Sequence, residues 1–299
     1  MLEGFPCVLS KNGKVLLSVD ETIVDLVIEE GIETIGERAF CFCVGLKNVE
    51  IPESVSRIES HAFTDTGIEN IFLPQSVTFI GEDCFSGCSN LMSIDVAEGN
   101  LVFSSLDGVL YDKNQTTLLV YPMKKSEECY EVPLGVSSIG PCAFEGCFLS
   151  SVLIPKSVRE VGESAFAFCR NLQQITIPFG VVNVEDLTFL SCDSLEKVDL
   201  PEGIVYIGGY AFSGCQSLSS IRIPSSVRMI DEKAFRGCTS LTGFHCAVSD
   251  PCILEVSDMT FDEELYGNCV LYVPSSSQDS YREHPVFGRF SQIKPMLSD

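Results

Sequence analysis

A cysteine recurs along the chain three residues after a phenylalanine, and a thiol is the side chain here best suited to chemistry. The chain has 299 residues and 15 cysteines. Seven of them occupy this position: Cys43, Cys88, Cys147, Cys169, Cys192, Cys215 and Cys238. A thiol can be a nucleophile, a metal ligand, a disulfide partner or a small buried side chain. These roles need different surroundings, so the elements that carry the cysteines decide between them.

Metal binding and catalysis find little support in the spacing of the reactive residues. Zinc sites use C-x-x-C pairs or closely placed histidines. The closest cysteine pairs have other spacings, and the histidines are scattered: Cys41/Cys43, Cys84/Cys88 and Cys142/Cys147, then His61, His245 and His284. No G-x-S-x-G, P-loop or H-E-x-x-H motif is present. We therefore predict no catalytic residue, metal or cofactor, and a chain that is not an enzyme.

The composition restricts the classes of partner and the cellular locations that we predict. Acidic residues outnumber basic ones by 42 to 19, which gives a net charge of −23. Such a surface repels nucleic-acid phosphates, so we predict no nucleic-acid partner. No apolar run reaches 18 residues, which predicts no transmembrane segment. The first residues lack the basic and apolar regions of a signal peptide. Two interpretations stay open: a cytosolic protein, or a mature form whose signal has been removed.

The repeat period predicts the architecture. Phenylalanines recur at intervals of 22 or 23 residues apart from one gap of 59: Phe40, Phe63, Phe85, Phe144, Phe166, Phe189, Phe212 and Phe235. The unit reads L-x-x-I-x-I-P-x-x-V-x-x-I-G-x-x-A-F-x-x-C. It predicts a short strand ended by proline, a second short extended segment and one tight helical or 3₁₀ turn. One unit cannot bury its own apolar residues, whereas stacked units can. The prediction is an α/β-type repeat solenoid with about eight repeats.

Departures from the period divide the chain into five segments. Residues 1–30 are predicted to form a hairpin cap around Asn12-Gly13. Repeats fill 31–96 and 132–246, and the gap of 59 places a hairpin insertion at 97–131, with its turn at 113–116. The period is lost after His245, so 247–299 is predicted to be a C-terminal cap with a short helix ended by Pro285.

The repeat resembles the leucine-rich repeats of the BspA-like bacterial surface proteins. The stretches IPSSVRMIDEKAFRGCTSLTGF, from Ile223, and LPQSVTFIGEDCFSGCSNLMSI, from Leu73, carry the resemblance. It covers about residues 30 to 290. It implies a leucine-rich-repeat solenoid, an exported and surface-associated protein that binds host or bacterial partners, and room for a lipid anchor in a full-length precursor. Thr66 replaces the repeat cysteine, which predicts a less regular coil there.

Stacking places the seven repeat cysteines in one column, which we call the cysteine ladder. Adjacent copies would lie about 5 Å apart, the spacing of neighbouring strands. Parallel copies point their Cβ atoms the same way, which disfavours disulfides between them. We predict that these thiols are buried packing groups. One disulfide near a cap, among the remaining cysteines, stays open.

Recognition is predicted on the outward residues of successive L-x-x-I-x-I strands. The candidate partner-binding residues are Glu50, Phe72, Asp95, Leu153, Thr176, Asp199, Arg222 and His245. Phe72 and Leu153 are apolar where the pattern expects exposure, so either the inserted hairpin covers them or they anchor a ligand.

These observations predict a non-catalytic, adhesin-like protein that recognises a protein or a glycan at the cell surface or outside the cell. The alternatives are an intracellular interaction scaffold and a glycan-active solenoid enzyme that uses two of the many carboxylates. The ligand and the oligomeric state stay open.

Overall fold

The structure is a computed structural model that describes residues 7–296. It divides into two compact units: unit 1 comprises Met1–Ser126 with Phe144–Gly146, and unit 2 comprises Glu127–Ala143 with Cys147–Asp299. Both units are built from repeat coils. A coil contributes one strand of three or four residues, called here a long strand, and one strand of two residues, called a short strand.

Unit 1 contains twelve strands within its described residues. They are β1 (Cys7–Leu9), β2 (Val15–Val19), β3 (Asp25–Val27), β4 (Thr34–Ile35), β5 (Asn48–Glu50), β6 (Arg57–Ile58), β7 (Asn70–Leu73), β8 (Phe79–Ile80), β9 (Ser93–Val96), β10 (Phe103–Leu106), β11 (Val109–Asp112) and β12 (Thr117–Val120). The long strands β3 and β5 pair in parallel, and so do β7 and β9. The short strands β4, β6 and β8 form a second parallel sheet.

Antiparallel strands occupy the two irregular parts of unit 1. Strands β1 and β2 form an antiparallel hairpin. Strand β2 also pairs in parallel with β4, and this pairing joins the hairpin to the sheet of short strands. Strands β10, β11 and β12 form a three-stranded meander. Residues 113–116 make the turn between β11 and β12, and Asp107-Gly108 makes a second tight turn before them, with φ of 50° and 76°. That second turn explains why the segment holds three strands where the sequence predicted two.

Unit 2 continues the same alternation of long and short strands. Its strands are β13 (Cys129–Glu131), β14 (Ser138–Ile139), β15 (Ser151–Leu153), β16 (Glu160–Val161), β17 (Gln174–Thr176), β18 (Asn183–Val184), β19 (Lys197–Asp199), β20 (Tyr206–Ile207), β21 (Ser220–Ile223), β22 (Met229–Ile230), β23 (Gly243–Cys246), β24 (Glu255–Val256), β25 (Val270–Val273) and β26 (Gln292–Pro295). Its long strands form two parallel sheets, β13-β15-β17-β19 and β21-β23-β25-β26.

Helices are confined to the C-terminal part of unit 2 in the described residues. They are α1 (Glu263–Asn268) and α2 (Gln278–Glu283), with 3₁₀ segments at Pro251–Ile253, Ser275–Ser277 and Phe287–Arg289. Helix α2 lies where the sequence predicted one. Its N-terminal Ser277 does not cap it, because the hydroxyl donates to the carbonyl oxygen of Ser249 at 2.5 Å. Among residues 7–296, none of the helices has the length and apolar content that crossing a membrane requires.

The solenoid prediction is confirmed, but about eight repeats is too low a count. Within residues 7–296 there are about twelve turns, four long strands of this kind in unit 1 and eight in unit 2. The extra turns lie where the motif is degenerate. Strand β3 lacks the following proline, and β25 and β26 lie in the tail that was predicted to be a cap, where they extend the parallel sheet from β23.

The turn A-F-x-x-C closes each coil with short-range hydrogen bonds. In the first full repeat the Ala39 amide donates to Gly36 at 3.1 Å, and the Cys43 amide donates to Phe40 at 3.0 Å. The Phe40 amide donates to Ala62 of the next coil at 2.8 Å. These contacts link neighbouring coils through the backbone and bring equivalent side chains into register.

Phenylalanine rings stack through both interiors. In unit 1 the centroids of Phe40 and Phe63 lie 4.8 Å apart with the rings 8° from parallel. In unit 2 the centroids of Phe212 and Phe235 lie 5.4 Å apart at 7°. All four side chains are buried. Because each ring covers the ring of the next coil, one residue type repeated at one period makes a continuous core.

Candidate binding faces

The cysteine ladder is an interior element in both units. All seven members are buried. The Cys88 thiol donates to the Phe63 carbonyl at 3.0 Å, and the Cys215 thiol donates to the Phe189 carbonyl at 3.2 Å. Cysteine fits this position because it is small and apolar and still offers a weak donor to a carbonyl of the preceding coil. Thr66, which replaces a ladder cysteine, is also buried and lies 3.2 Å from the Cys88 sulfur.

The ladder thiols are poor nucleophiles. Burial raises the pKa of the Cys88 thiol to about 11 and that of Cys238 to about 12. A reactive cysteine needs a lowered pKa, because the thiolate is the attacking species. All 15 cysteines lie in the described residues, and no disulfide joins any of them there. Within residues 7–296 no group of three or more His, Cys, Asp or Glu side chains could hold a metal ion.

The third residues of the long strands form what we call the outward column, and register fixes its order. In unit 1, Val27 pairs with Glu50, and Phe72 pairs with Asp95. In unit 2 the order is Glu131, Leu153, Thr176, Asp199, Arg222, His245, Tyr272 and Lys294. Each of the eight predicted site residues lies in the outward column of its own unit.

The solvent exposure of Phe72 and Leu153 distinguishes between two interpretations: that the inserted hairpin covers them, or that they anchor a ligand. Phe72 is 54% exposed and Leu153 is 55% exposed. The inserted strands of unit 1 therefore leave Phe72 open to solvent, and the interpretation that they cover it is wrong. An exposed aromatic ring on a regular strand face contributes little to folding but can contribute to binding.

An open cleft of about 560 Å³ lies over the long strands of unit 1. It is lined by residues of β3, β5, β7 and β9: Asp25, Leu26, Val27, Asn48, Val49, Glu50, Asn70, Ile71, Phe72 and Asp95. Val27 is 65% exposed and, with Phe72, gives the cleft an apolar surface. Three carboxylates line it, and among its described lining residues there is no lysine, arginine or histidine.

Short polar contacts order two of the three carboxylates of this cleft, Asp25 and Asp95. The Asn48 side-chain amide donates to Asp25 at 2.5 Å, and the Ser93 hydroxyl lies 3.0 Å from Asp95 and 2.9 Å from Asn70. These partners are neutral, so they position the carboxylates without cancelling their charge. The cleft therefore combines a fixed negative field with two exposed apolar side chains.

The outward column of unit 2 has a different chemistry. Lys197 pairs with Asp199 at 2.9 Å, and the His245 and Tyr272 rings stack with centroids 4.4 Å apart. Burial, and secondarily the charge of Arg222, lowers the pKa of His245. The first four residues of this column are thus acidic or neutral, and the last four are basic or aromatic and include the aromatic stack.

Sequence reasoning missed four residues of the outward column: Val27, Glu131, Tyr272 and Lys294. Their segments carried a usable signal. Val27 precedes the stretch IEEGIETIG, which keeps the V-x-x-I-G spacing with isoleucine first. The stretches YEVP, after Cys129, and LYVP, after Val270, keep the strand-then-proline ending, and IKP places its proline one position earlier. The coils of Tyr272 and Lys294 lack the A-F-x-x-C motif. The coils of Val27 and Glu131 keep this motif, but their strands depart from L-x-x-I-x-I, so a search for the full repeat missed all four.

The parallel coils, the stacked phenylalanines and the outward strand faces define a leucine-rich repeat solenoid. The family profile described as "BspA type Leucine rich repeat region" matches six copies over residues 19–111 and 123–247. The chain therefore belongs to the BspA-type leucine-rich repeat family. The resemblance inferred from the motif is confirmed.

Two solved structures illustrate the relationship. A leucine-rich cell surface protein from Faecalibacterium prausnitzii A2-165 is 36% identical, with a TM-score of 0.70 over 75% of this chain and 60% of that one. The pneumococcal vaccine antigen PcpA is 25% identical, with a TM-score of 0.82 over 93% of this chain and 68% of that one. This chain thus spans less than two thirds of the length of the first protein. No curated protein matches the chain.

Proposed function

We propose that the chain is a non-catalytic recognition protein of the bacterial cell surface, and that its outward strand faces bind a protein or a glycan. The family and the surface protein from Faecalibacterium support the location and the class of function. The observation that carries the proposal is the exposed Phe72 in a cleft on strands whose other faces are committed to the core. Nothing in the stacking of the coils requires an aromatic ring there.

An array of extracellular-matrix proteins, bacterial surface proteins and glycans tests this function. The wild-type chain should bind at least one component reproducibly and with saturation. The combined variant Phe72→Ala, Asp199→Ala, Arg222→Ala should lose most of that binding while keeping its melting temperature. A matched control replaces three exposed residues outside the outward column: Leu134→Ala, Glu196→Ala and Lys156→Ala.

Comparing the outward-column variant with the control variant shows whether binding uses the outward strand faces or another surface of the protein. Binding that is lost in the outward-column variant and kept in the control supports the proposal. Binding to a confirmed partner that is unchanged in the outward-column variant contradicts it. Cleavage of any glycan on the array, followed by mass spectrometry, would instead support the glycan-active alternative.

A further inference from the structure

The cleft of unit 1 has the features of a site for a basic peptide rather than a neutral or acidic ligand. Glu50 and Asp95 lie on either side of Phe72 in the outward column, and Asp25 lies at the edge of the same cleft. Each interval between neighbouring coils is about 4.8 Å. The ring therefore has a carboxylate-bearing residue about one strand spacing away on both sides.

Charge complementarity selects the occupant. The chain as a whole is strongly acidic, and the cleft has three carboxylates with no basic lining residue within the described part of the chain. An acidic ligand would be repelled by all three carboxylates, and a neutral glycan would hydrogen-bond to them but leave their negative charge uncompensated. A cationic ligand satisfies them, and the field also steers it towards the site.

Spacing along the cleft favours an extended segment. Side chains at positions i and i+2 of an extended peptide lie on one face about 6.8 Å apart. If an apolar side chain at position i lies over Phe72 and the peptide crosses the strands, residues i−2 and i+2 lie about 2 Å farther from the ring than the coils that carry Glu50 and Asp95, because about 6.8 Å exceeds about 4.8 Å by that amount. The flexible stems of arginine and lysine can cover this distance. The four long strands together span about 15 Å, close to the length of five extended residues.

We propose that the unit 1 cleft binds an extended protein segment with the pattern basic-x-apolar-x-basic. The apolar residue packs on Phe72 and Val27, and the two basic residues meet Glu50 and Asp95. This inference rests on the proposed recognition function and specifies the class of partner for one of its faces.

The absence of tryptophan in this chain makes a direct test possible. The probe is the peptide Gly-Arg-Ser-Trp-Ser-Arg-Gly with blocked ends, and its indole fluorescence should shift to shorter wavelength when the ring is buried against Phe72. The matched peptide Gly-Glu-Ser-Trp-Ser-Glu-Gly should bind at least tenfold more weakly. Raising the ionic strength from about 0.05 M to about 0.5 M should weaken binding of the basic peptide about five- to tenfold, because exposed charges are screened.

Variants locate the probe on the molecule. Phe72→Ala should weaken binding about tenfold, and Glu50→Gln and Asp95→Asn about two- to fivefold each. Leu153→Ala and Asp199→Asn occupy matched positions of the outward column in unit 2 and should leave the affinity unchanged. All five positions are exposed, so circular dichroism and the melting temperature should match the wild type for every variant.

Three results would overturn the inference: no binding of the basic peptide at millimolar concentration, equal binding of the acidic peptide, or equal loss in the Leu153→Ala control. The proposed function fails separately. If an array partner depends on Phe72 while the basic peptide does not bind, recognition by this face stands and only the class of ligand is wrong.

Discussion

In unit 1 the outward column reads Val27, Glu50, Phe72 and Asp95, whereas in unit 2 it runs through Thr176 and Asp199 to basic and aromatic residues. The interiors of the two units are alike, because both stack phenylalanine rings and bury ladder cysteines. This contrast shows that the repeat period fixes the residue types that face inward, whereas the residue types on the outward face vary from coil to coil. Specificity in this fold is therefore read from the residues that differ between coils.

The largest expected effect tests whether the interiors are equivalent. Phe63→Ala in unit 1 and Phe212→Ala in unit 2 should each lower the free energy of unfolding by about 3–5 kcal/mol, because each removes a buried ring from a continuous stack. Denaturant unfolding followed by circular dichroism measures the change. A loss below about 1 kcal/mol in only one of the two variants would show that the interiors differ.

Alkaline pH tests the ladder in both units. Because burial raises the folded-state pKa of Cys88 to about 11 and of Cys238 to about 12, the unfolded chain loses these thiol protons first. Their stabilising contribution is complete below the ordinary thiol pKa and is lost as the pH rises towards 11–12. The melting temperature should therefore fall steadily above about pH 9.

Removing one ladder thiol at a time sharpens this test. Cys88→Ala in unit 1 and Cys238→Ala in unit 2 should each make the loss of melting temperature between about pH 9 and 11 less steep. The measurement is a thermal scan of each variant and the wild type at several pH values. An unchanged slope in both variants would mean that the ladder thiols do not contribute to the alkaline loss.

The smallest expected effect concerns the outward column. Phe72→Ala and Leu153→Ala remove exposed apolar side chains, so each should change the free energy of unfolding by no more than about 0.5 kcal/mol. Side-by-side thermal denaturation checks this. A loss of about 2 kcal/mol or more for Phe72→Ala would mean that the ring supports the fold, and its role as a ligand anchor would then lose its main argument.

Much of this fold could be predicted from the sequence, because stacking repeats each buried residue at a fixed interval. Phe212, Cys215 and the strand Ser220–Ile223 all follow from one period. Contacts made by residues outside the repeat pattern could not be predicted from the period. Asn100 is buried and binds four backbone groups: the carbonyls of Pro74 and Val77 and the amides of Val102 and Phe103. No repeat predicts such a residue.

The candidate site could likewise be predicted only in part from the sequence. Its positions could be predicted, since alternation along a strand tells which residues face outward. The cleft could not, because it depends on β3, whose degenerate repeat places Asp25 and Val27 beside the residues of β5. The contrast between an acidic face in unit 1 and a mixed face in unit 2 likewise requires knowing every coil.

The most direct test of recognition by the outward face is a crystal structure of the chain with the peptide Gly-Arg-Ser-Trp-Ser-Arg-Gly. We predict an indole ring packed on Phe72 and Val27, with one guanidinium within hydrogen-bonding distance of Glu50 and the other within that distance of Asp95. A peptide bound on another surface, or one whose arginines point away from both carboxylates, would contradict it.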